Sequence, residues 1–172
     1  MRVIPTPLNS DNFGYLVFNE ETNEGFWVDV SMQPNKCFEI LKSYGVSVKH
    51  VLTTHKHADH AGGNAEFKEL LGGVIEIFGS ATDAVEACTN LVADKDTLQI
   101  SGMSITCLLT PGHTQGHVSY FVEHNGDKVV FTGDVLFIGG AGRFFEGTAE
   151  DMYFSLFEQL GKLPSGILKV FF

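Results

Sequence analysis

The chain has 172 residues, of which 44% are hydrophobic and 19% charged, a composition typical of one globular domain over residues 1–172 rather than of a disordered protein. It contains no apolar run near the roughly 20 residues that cross a bilayer, and its first residues lack the pattern of a signal or transit peptide. With 11 Lys and Arg against 21 Asp and Glu, its net charge of −10 repels nucleic acid and anionic membranes. We therefore expect a cytoplasmic protein that binds neither nucleic acid nor membrane. The sequence specifies no oligomeric state.

Short apolar runs separated by turn residues predict many strands and few helices. The predicted strands are residues 2–4, 13–18, 25–29, 48–53, 75–78, 97–100, 103–109, 118–123 and 127–132. Helical spacing predicts helices over residues 34–44, which begin with a proline, over residues 64–71, and over residues 149–160, which follow Thr148 as an N-cap. This mixture predicts an α+β fold in which helices cover layered sheets.

Five of the seven histidines fall into two short clusters, and the first is the run THKHADH at residues 54–60. It follows a buried strand, on whose extended continuation His55 and His57 would share one face. Asp59 and His60, in the loop that we expect next, can fold back beside them. Imidazole nitrogen with carboxylate oxygen, and no thiolate, is the ligand set typical of zinc or iron.

The second cluster is the run GHTQGH at residues 112–117, and the run FTGD at residues 131–134 ends a third strand. His113 and Asp134 therefore also stand at strand ends. A single His or Asp in such a position is usually a structural hydrogen-bonding or turn residue, but three strand ends that all carry ligands predict a metal site. The second histidine of the run GHTQGH, His117, is a candidate for supporting a ligand from behind.

These motifs resemble those of the metallo-β-lactamase superfamily. Within it, the runs LTTH at residues 52–55, AGGN at residues 61–64 and GAGRFFEGT at residues 140–148 resemble the glyoxalase II group, the hydroxyacylglutathione hydrolases. The resemblance covers nearly the whole chain. It implies a four-layer αβ/βα sandwich of two mixed β-sheets flanked by helices, lacking its last part, with a metal site at one edge.

The resemblance also implies the ligands of one or two Zn²⁺ ions, or of iron: His55, His57 and His113 for one ion, Asp59 and His60 for a second, and Asp134 as a bridge between them. A metal-bound hydroxide would attack the thioester of a glutathione conjugate such as S-lactoylglutathione. Asp59 and Asp134 would be catalytic residues, with Asp59 orienting the nucleophile. The products would be a hydroxy acid and glutathione.

For substrate binding the resemblance points to Arg143 and Phe145. Arg143 lies on the loop that contacts glutathione in the family, and it is either such a contact or a solvated loop residue. The family commonly has Tyr where Phe145 stands, which removes one hydroxyl contact. The family also completes its second metal with a His after a turn like Leu163-Pro164, but no histidine follows His124 here. Together with the missing C-terminal helical region, this implies a truncated member with a weak second metal and low or absent activity.

Two other functions remain open. A mononuclear-iron persulfide dioxygenase of the same superfamily would need only His55, His113 and Asp134. The remaining possibility is a catalytically silent domain that keeps one metal as a structural staple and acts through partners. The apolar residues 170–172 would then form an exposed patch.

Overall fold

The computed structural model describes residues 1–165 and 169–171 of the chain. Within these residues the strands are β1 (Arg2–Leu8), β2 (Asn12–Asn19), β3 (Glu24–Val28), β4 (Ser47–Leu52), β5 (Glu76–Ser80), β6 (Asn90–Val92), β7 (Thr97–Ile100), β8 (Met103–Leu109), β9 (Val118–His124), β10 (Asp127–Phe131) and β11 (Lys169–Phe171). The α-helices are α1 (Pro34–Tyr44), α2 (Ala58–Ala61), α3 (Asn64–Leu70) and α4 (Ala149–Tyr153).

The described strands form two mixed sheets. The first has the order β1-β2-β3-β4-β5-β6; its first three strands run antiparallel, and β3 to β6 run parallel. The second has the order β11-β10-β9-β8-β7 and is antiparallel except for the parallel pair β10 and β11. The predicted pair of mixed sheets is confirmed.

Alternation along the strands builds the layers, because successive side chains point to opposite faces of a sheet. Tyr15 of β2 and Tyr120 of β9 are buried between the sheets. The neighbouring Leu16 belongs instead to an outer cluster with the buried faces of α1 and α3. Phe121 packs with Met152 of α4 on the outside of the second sheet. The order helix, sheet, sheet, helix confirms the predicted four-layer sandwich.

Local signals fix several element ends where the sequence predicts them. Pro34 begins α1, and Gly45 ends it in the left-handed conformation with φ +64°, which glycine adopts without strain. Asn125 and Gly126, with φ of 49° and 89°, make the tight turn between β9 and β10 that an Asn-Gly pair favours. Thr148 and Asp151 form a reciprocal capping box at the start of α4.

The structure departs from the predicted elements in three short segments. The nine predicted strands are present with ends within about two residues, apart from β1, which extends to Leu8. However, β6 and β11 are not predicted, because three residues are too few to show an alternating pattern. Residues 58–61, expected to be a loop, form the one-turn helix α2.

The third predicted helix, residues 149–160, is only partly regular. After α4 it continues as a wider π-helical segment, Phe154–Gln159, and a 3₁₀ turn, Leu160–Lys162. In the wider segment the buried Ser155 hydroxyl donates to the Pro111 carbonyl (2.6 Å), and Gln159 donates to the Leu109 carbonyl (3.1 Å). The segment therefore anchors the chain just before His113.

The end of the chain differs from the expected exposed patch. The ring of Phe171 stacks on Phe131 with centroids 5.1 Å apart and contacts Tyr15 at 5.0 Å. Phe171 thus packs on the core between the sheets, whereas Phe172 lies outside the described residues. Among the described residues no helix has the length and apolar character needed to cross a membrane.

Candidate metal centre

The topology brings the chemically informative strand ends to one edge of the sandwich. Because β3 and β4 are parallel, the residues that follow them leave the first sheet at the same edge. Because β8 and β10 both run antiparallel to β9, the residues that follow them leave the second sheet together. The Val118 amide donates to the Thr54 carbonyl (2.8 Å), which joins the two edges.

Three histidines from these strand ends converge. Nδ1 of His57 lies 3.1 Å from Nε2 of His55 and 3.0 Å from Nε2 of His113. We call these residues the three-histidine group. His55 and His113 are buried, and His57 is half-buried on the open side. The structure therefore brings together the residues predicted to hold one metal.

The hydrogen bonds behind two of these rings define which nitrogen atoms carry lone pairs. A carbonyl only accepts, so Nδ1 of His113 donates its proton to the Arg143 carbonyl (2.8 Å). The Thr54 hydroxyl donates to the Asp29 carboxylate (2.8 Å) and thus accepts from Nδ1 of His55 (3.0 Å). With Nδ1 as the donor in both rings, the lone pair of Nε2 then points at His57. This donor set fits a divalent cation that takes imidazole ligands.

A second group of potential ligands adjoins the first and consists of His55, His60 and Asp134. One carboxylate oxygen of Asp134 lies 3.2 Å from Nε2 of His60, and the other lies 3.2 Å from Nε2 of His113. The Asp134 carboxylate therefore contacts one histidine of each group.

Asp59 and His60 reach the site from a helix rather than from the expected loop. His57 ends the extended segment and caps α2, so β4 itself stops before His55, and the expectation that His55 and His57 share one strand face is wrong. On α2 the His60 ring is buried, whereas Asp59 lies at the open rim, 3.7 Å from Nε2 of His60. Asp59 belongs to neither ligand group, and its role as a ligand stays a prediction.

Asp29, which follows β3, is a functional residue that the sequence reasoning missed. Its buried carboxylate accepts from the Thr54 amide (2.8 Å), from the Thr54 hydroxyl (2.8 Å) and from Nδ1 of His60 (2.9 Å). It thereby orients the His60 ring directly and the His55 ring through Thr54. The available signal was a carboxylate at the end of a predicted strand, the same signal that identified Asp134.

His117 has the supporting contact that the sequence predicts for it. The Asp134 amide donates to Nε2 of His117 (3.2 Å), so Nδ1 carries the ring proton and donates to the Thr110 hydroxyl (3.0 Å). Burial lowers the pKa of His117 to about 3, which keeps the ring neutral and able to accept. His117 therefore holds the main chain of Asp134.

Asn12, at the start of β2, is a second missed residue, because an asparagine next to a turn shows no sign of a distant partner in the sequence. Its side-chain oxygen accepts from the Phe13 amide (2.7 Å), and its NH₂ group donates to the Asp59 carbonyl (2.6 Å). The same NH₂ group lies 3.1 Å from Nε2 of His60. Asn12 thus links the turn between β1 and β2 to α2.

The electrostatics of the two groups differ. Burial and neighbouring imidazoles lower the pKa values of His55 and His57, so both rings are neutral and ready to bind a cation. Burial also disfavours the charged form of His60, but Asp29 and Asp134 outweigh it and raise its pKa to about 10. Burial raises the pKa of Asp134, yet its bond to His60 lowers the value overall. Without a metal, the His60 ring is therefore protonated and donates to the carboxylates of Asp29 and Asp134.

Two cavities meet at this centre and share Asp59 and Asp134. One has a volume of about 300 Å³ and is lined by Asp11, Asn12, Asp59, His60, Asp134 and Phe137. The other has a volume of about 500 Å³ and is lined by His57, Asp59, His113, Asp134, Phe145 and Glu146. A ligand in either cavity touches the proposed metal ligands.

The predicted substrate residues stand at the rim of the larger cavity. The ring of Phe145 is 57% exposed and meets the rings of His57 and His113 edge-on, with centroids 5.6 and 5.2 Å away. The exposed guanidinium of Arg143 lies 5.0 Å from the centre of the Phe145 ring. Both side chains are thus placed where a molecule entering the cavity would meet them.

Comparison with curated proteins identifies relatives that are longer than this chain. A protein of Arabidopsis thaliana named hydroxyacylglutathione hydrolase cytoplasmic is 42% identical over 167 residues, which cover 95% of this chain and 64% of the relative. A hydroxyacylglutathione hydrolase-like protein of Homo sapiens is 41% identical over 95% of this chain and 56% of its own length. The chain therefore spans less than two thirds of these relatives.

A solved structure and a family model both support the fold. ETHE1 from Myxococcus xanthus superimposes with a TM-score of 0.84 at 28% identity, covering 95% of this chain and 72% of that one. The family model of the metallo-beta-lactamase superfamily matches residues 44–168, the region that contains every histidine of both ligand groups. The chain thus belongs to the metallo-beta-lactamase superfamily.

Proposed function

We propose that the chain is a metal-dependent hydrolase of glutathione thioesters of the S-lactoylglutathione type. The observation that carries the proposal is the convergence of His55, His57 and His113 beside the Asp134 carboxylate. Support for the substrate class comes from the relatives, which are named for the hydrolysis of hydroxyacylglutathione. The relative's name also supports a cytoplasmic location, which we propose for this chain.

In this proposal the three-histidine group would hold one metal ion, His60 and Asp59 would hold a second, and Asp134 would be a ligand of both. Nitrogen and oxygen donors without thiolate suit zinc. Iron is supported as well, because the related structure TTHA1623 is in a di-iron-bound form, at 25% identity with a TM-score of 0.77. The bound metal supplies hydroxide near neutral pH by lowering the pKa of its water toward about 7.

The residues of the chain supply position and proton handling. Asp59 stands at the rim shared by both cavities, where its carboxylate can accept a hydrogen bond from the attacking oxygen and orient it. The main chain of Asp134 is held by His117, so that its carboxylate stays in contact with both ligand groups. Attack on the carbonyl carbon breaks the carbon–sulfur bond, and the proton that the attacking water has lost passes to the departing sulfur. The products are a hydroxy acid and the glutathione thiol.

The larger cavity is the proposed binding site of the glutathione half. Glutathione conjugates are anionic, and a chain with a net charge of −10 must offer local positive charge to bind them. Arg143 at the rim can pair with a carboxylate of the tripeptide through two parallel hydrogen bonds. Phe145 offers an apolar face at the entrance beside it.

Metal content and thioester hydrolysis of the purified chain test the proposal together. We expect one tightly bound ion per chain, a second bound more weakly because Asp59, one of its proposed ligands, belongs to neither ligand group, and low release of thiol from S-lactoylglutathione. Chelation should abolish thiol release, and added Zn²⁺ should restore it. Full metal occupancy without any hydrolysis would contradict the proposal.

A mononuclear-iron persulfide dioxygenase is the second candidate. The contact between His113 and Asp134 favours it, because with His55, whose ring centroid lies 4.9 Å from that of His113, these residues form a two-histidine, one-carboxylate set. A single iron per chain and oxygen uptake with glutathione persulfide, without thioester hydrolysis, would identify this activity. A bound metal without either activity would identify the silent domain.

A further inference from the structure

Asp83, in the turn after β5, is a buried carboxylate outside both ligand groups. Its side chain has three partners and only 1% exposure. Oδ2 accepts from the Lys56 amide (3.1 Å) and from the Thr114 hydroxyl (2.7 Å), and Oδ1 accepts from the Gly116 amide (2.7 Å). A carboxylate with this many donors is strongly held in one orientation.

These partners belong to the two loops that carry the three-histidine group. Lys56 lies between His55 and His57 in the loop after β4, and Thr114 follows His113 in the loop after β8. The carboxylate therefore joins loops that come from different sheets. It contacts no ligand atom itself and acts on the rings only through the main chain.

The packing around Gly116 shows that this junction has no spare room. A Cβ atom at Gly116 would lie 2.6 Å from Oδ1 of Asp83, 2.5 Å from its amide nitrogen and 2.8 Å from the Ser80 hydroxyl. Real Cβ contacts are longer than this, so only glycine lets the second loop approach the carboxylate closely. The close approach is independent of the hydrogen bonds from Lys56 and Thr114.

We propose that Asp83 is a positioning residue that sets the distance between His57 and His113 and thereby the metal affinity of the three-histidine group. The inference rests on the proposed function, since it requires that this group bind a metal. Partners outside the ligand set commonly contribute about 10–100-fold to metal affinity, because they orient the ligands. Asp83 would do so for two loops at once.

Asp83→Asn is the informative substitution. If its amide oxygen stays with Gly116, the NH₂ group faces the Lys56 amide, donor against donor; if the side chain turns over, NH₂ faces the Gly116 amide instead. In either orientation one main-chain N–H loses its acceptor. We expect the affinity for Zn²⁺, measured by competition with a chromophoric chelator, to fall about 10–100-fold. The visible absorption of bound Co²⁺ should also change.

Two further variants make the measurement specific. His57→Ala identifies the part of the Co²⁺ spectrum that belongs to the three-histidine group. Asp96→Asn is the control, because the Asp96 carboxylate also accepts from a main-chain amide, that of Ala93 (2.7 Å), but does not join the two metal loops. Its metal affinity should stay within about threefold of the unchanged chain.

A purely structural role predicts a different result. Asp83→Asn would then lower the free energy of unfolding equally with and without metal, and metal affinity and the Co²⁺ spectrum would be unchanged; that outcome overturns the inference. Should Asp83→Asn fail to fold, Thr114→Val removes one donor, and an unchanged affinity in that variant overturns the inference as well. If the unchanged chain shows no metal signal that depends on His57, the proposed metal site fails too. Metal binding that survives intact in Asp83→Asn refutes only the role of Asp83.

Discussion

The metal-binding edge and the rim loop at residues 138–147 are in contact but are held in different ways. At the edge, the ring nitrogens of His55, His60 and His113 that face away from the site each have a partner. In the rim loop, Ile138 is 87% exposed and Phe145 is 57% exposed. The difference teaches that the chain orients its proposed metal ligands by hydrogen bonds within the protein, whereas Arg143 and Phe145, which are proposed to meet the substrate, extend from an exposed loop.

The two regions touch where Gly142 passes over the metal-binding edge. A Cβ atom at Gly142 would lie 1.8 Å from the Asp134 carbonyl, so the close approach requires glycine there. Next to it, the Arg143 carbonyl accepts from His113. The rim loop thus contributes its main chain to the ordered edge and its side chains to the open rim.

The largest expected effect comes from removing a ligand at the ordered edge. His113→Ala deletes one member of the three-histidine group together with its contact to Asp134. We expect Zn²⁺ affinity to fall by more than about 100-fold, beyond what an outer partner contributes, and thioester hydrolysis to be lost with it. Zinc competition and thiol release measure the two effects.

The control for this prediction is His124→Ala. Nδ1 of His124 donates to the Gly102 carbonyl in the turn between β7 and β8 (3.0 Å), and Nε2 accepts from the Asn125 side chain (3.2 Å). His124 thus lies at the opposite edge of the second sheet. Its removal should leave metal content unchanged. An undiminished metal content in His113→Ala would break the assignment of the three-histidine group.

Removing a support at the ordered edge should have the next largest effect. His117→Phe fills the same buried space but offers no acceptor to the Asp134 amide and no donor to Thr110. An unpaired buried polar group costs about 1–3 kcal/mol, so urea unfolding should show a loss of that size. Metal affinity should fall about 10–100-fold, as for other outer partners. Lower stability with unchanged metal affinity would assign His117 to core packing alone.

The contrast between the regions also explains what the sequence predicts. His113 and Asp134 are predictable because each directly follows an apolar run that ends at the same sheet edge. The four layers follow from the family resemblance that these motifs carry, because β2 and β9 are buried on both faces and show no simple alternation. These features depend on local patterns, which a single sequence shows.

The supports are less predictable because their partners are distant in the chain. Asp83 and Gly116 are separated by 33 residues, and Asn12 and His60 by 48. No local pattern relates such positions, and each residue alone is typical of an ordinary turn. The helix α2 was missed for a related reason, since a single turn is too short to show helical spacing.

At the open rim, Arg143→Gln tests whether this side chain contacts the substrate or only solvent. If it pairs with a glutathione carboxylate, losing a charged hydrogen bond of about 1.5 kcal/mol raises KM by roughly tenfold. Because the guanidinium is remote from the reacting carbonyl, kcat should change little. An unchanged KM would show that Arg143 is a solvated residue.

Phe145→Tyr should have a smaller effect of opposite sign. The substitution adds a hydroxyl to a ring that already stands at the cavity entrance, beside His57 and His113. One neutral hydrogen bond to the substrate contributes about 0.5–1.5 kcal/mol, so KM should fall by about two- to tenfold. Phe145→Leu keeps an apolar side chain without the hydroxyl and serves as the control. A lower KM in both variants would mean that the hydroxyl is not the cause.

The smallest effect is expected from the ion pair that ties the two regions together. Lys56, beside the metal ligands, lies 2.5 Å from the Glu146 carboxylate of the rim loop, and the two side chains are 35% and 30% exposed. Ion pairs with this degree of solvent exposure contribute about 0.2–1 kcal/mol to the free energy of unfolding. A double-mutant cycle of Lys56→Met and Glu146→Gln, followed by urea unfolding, should give a coupling free energy in that range.

The pH dependence of the coupling free energy between Lys56 and Glu146 is an independent measurement of the same interaction. The hydrogen bond from Lys56 holds the pKa of Glu146 below its ordinary value. The stabilisation is therefore present above the ordinary pKa of a glutamate and is lost as the pH falls through the lowered value. Added salt should weaken it as well. A coupling above about 2 kcal/mol that persists in salt, well beyond an exposed pair, would show that the rim is held as firmly as the metal-binding edge. The contrast between the two regions would then be one of exposure and not of rigidity.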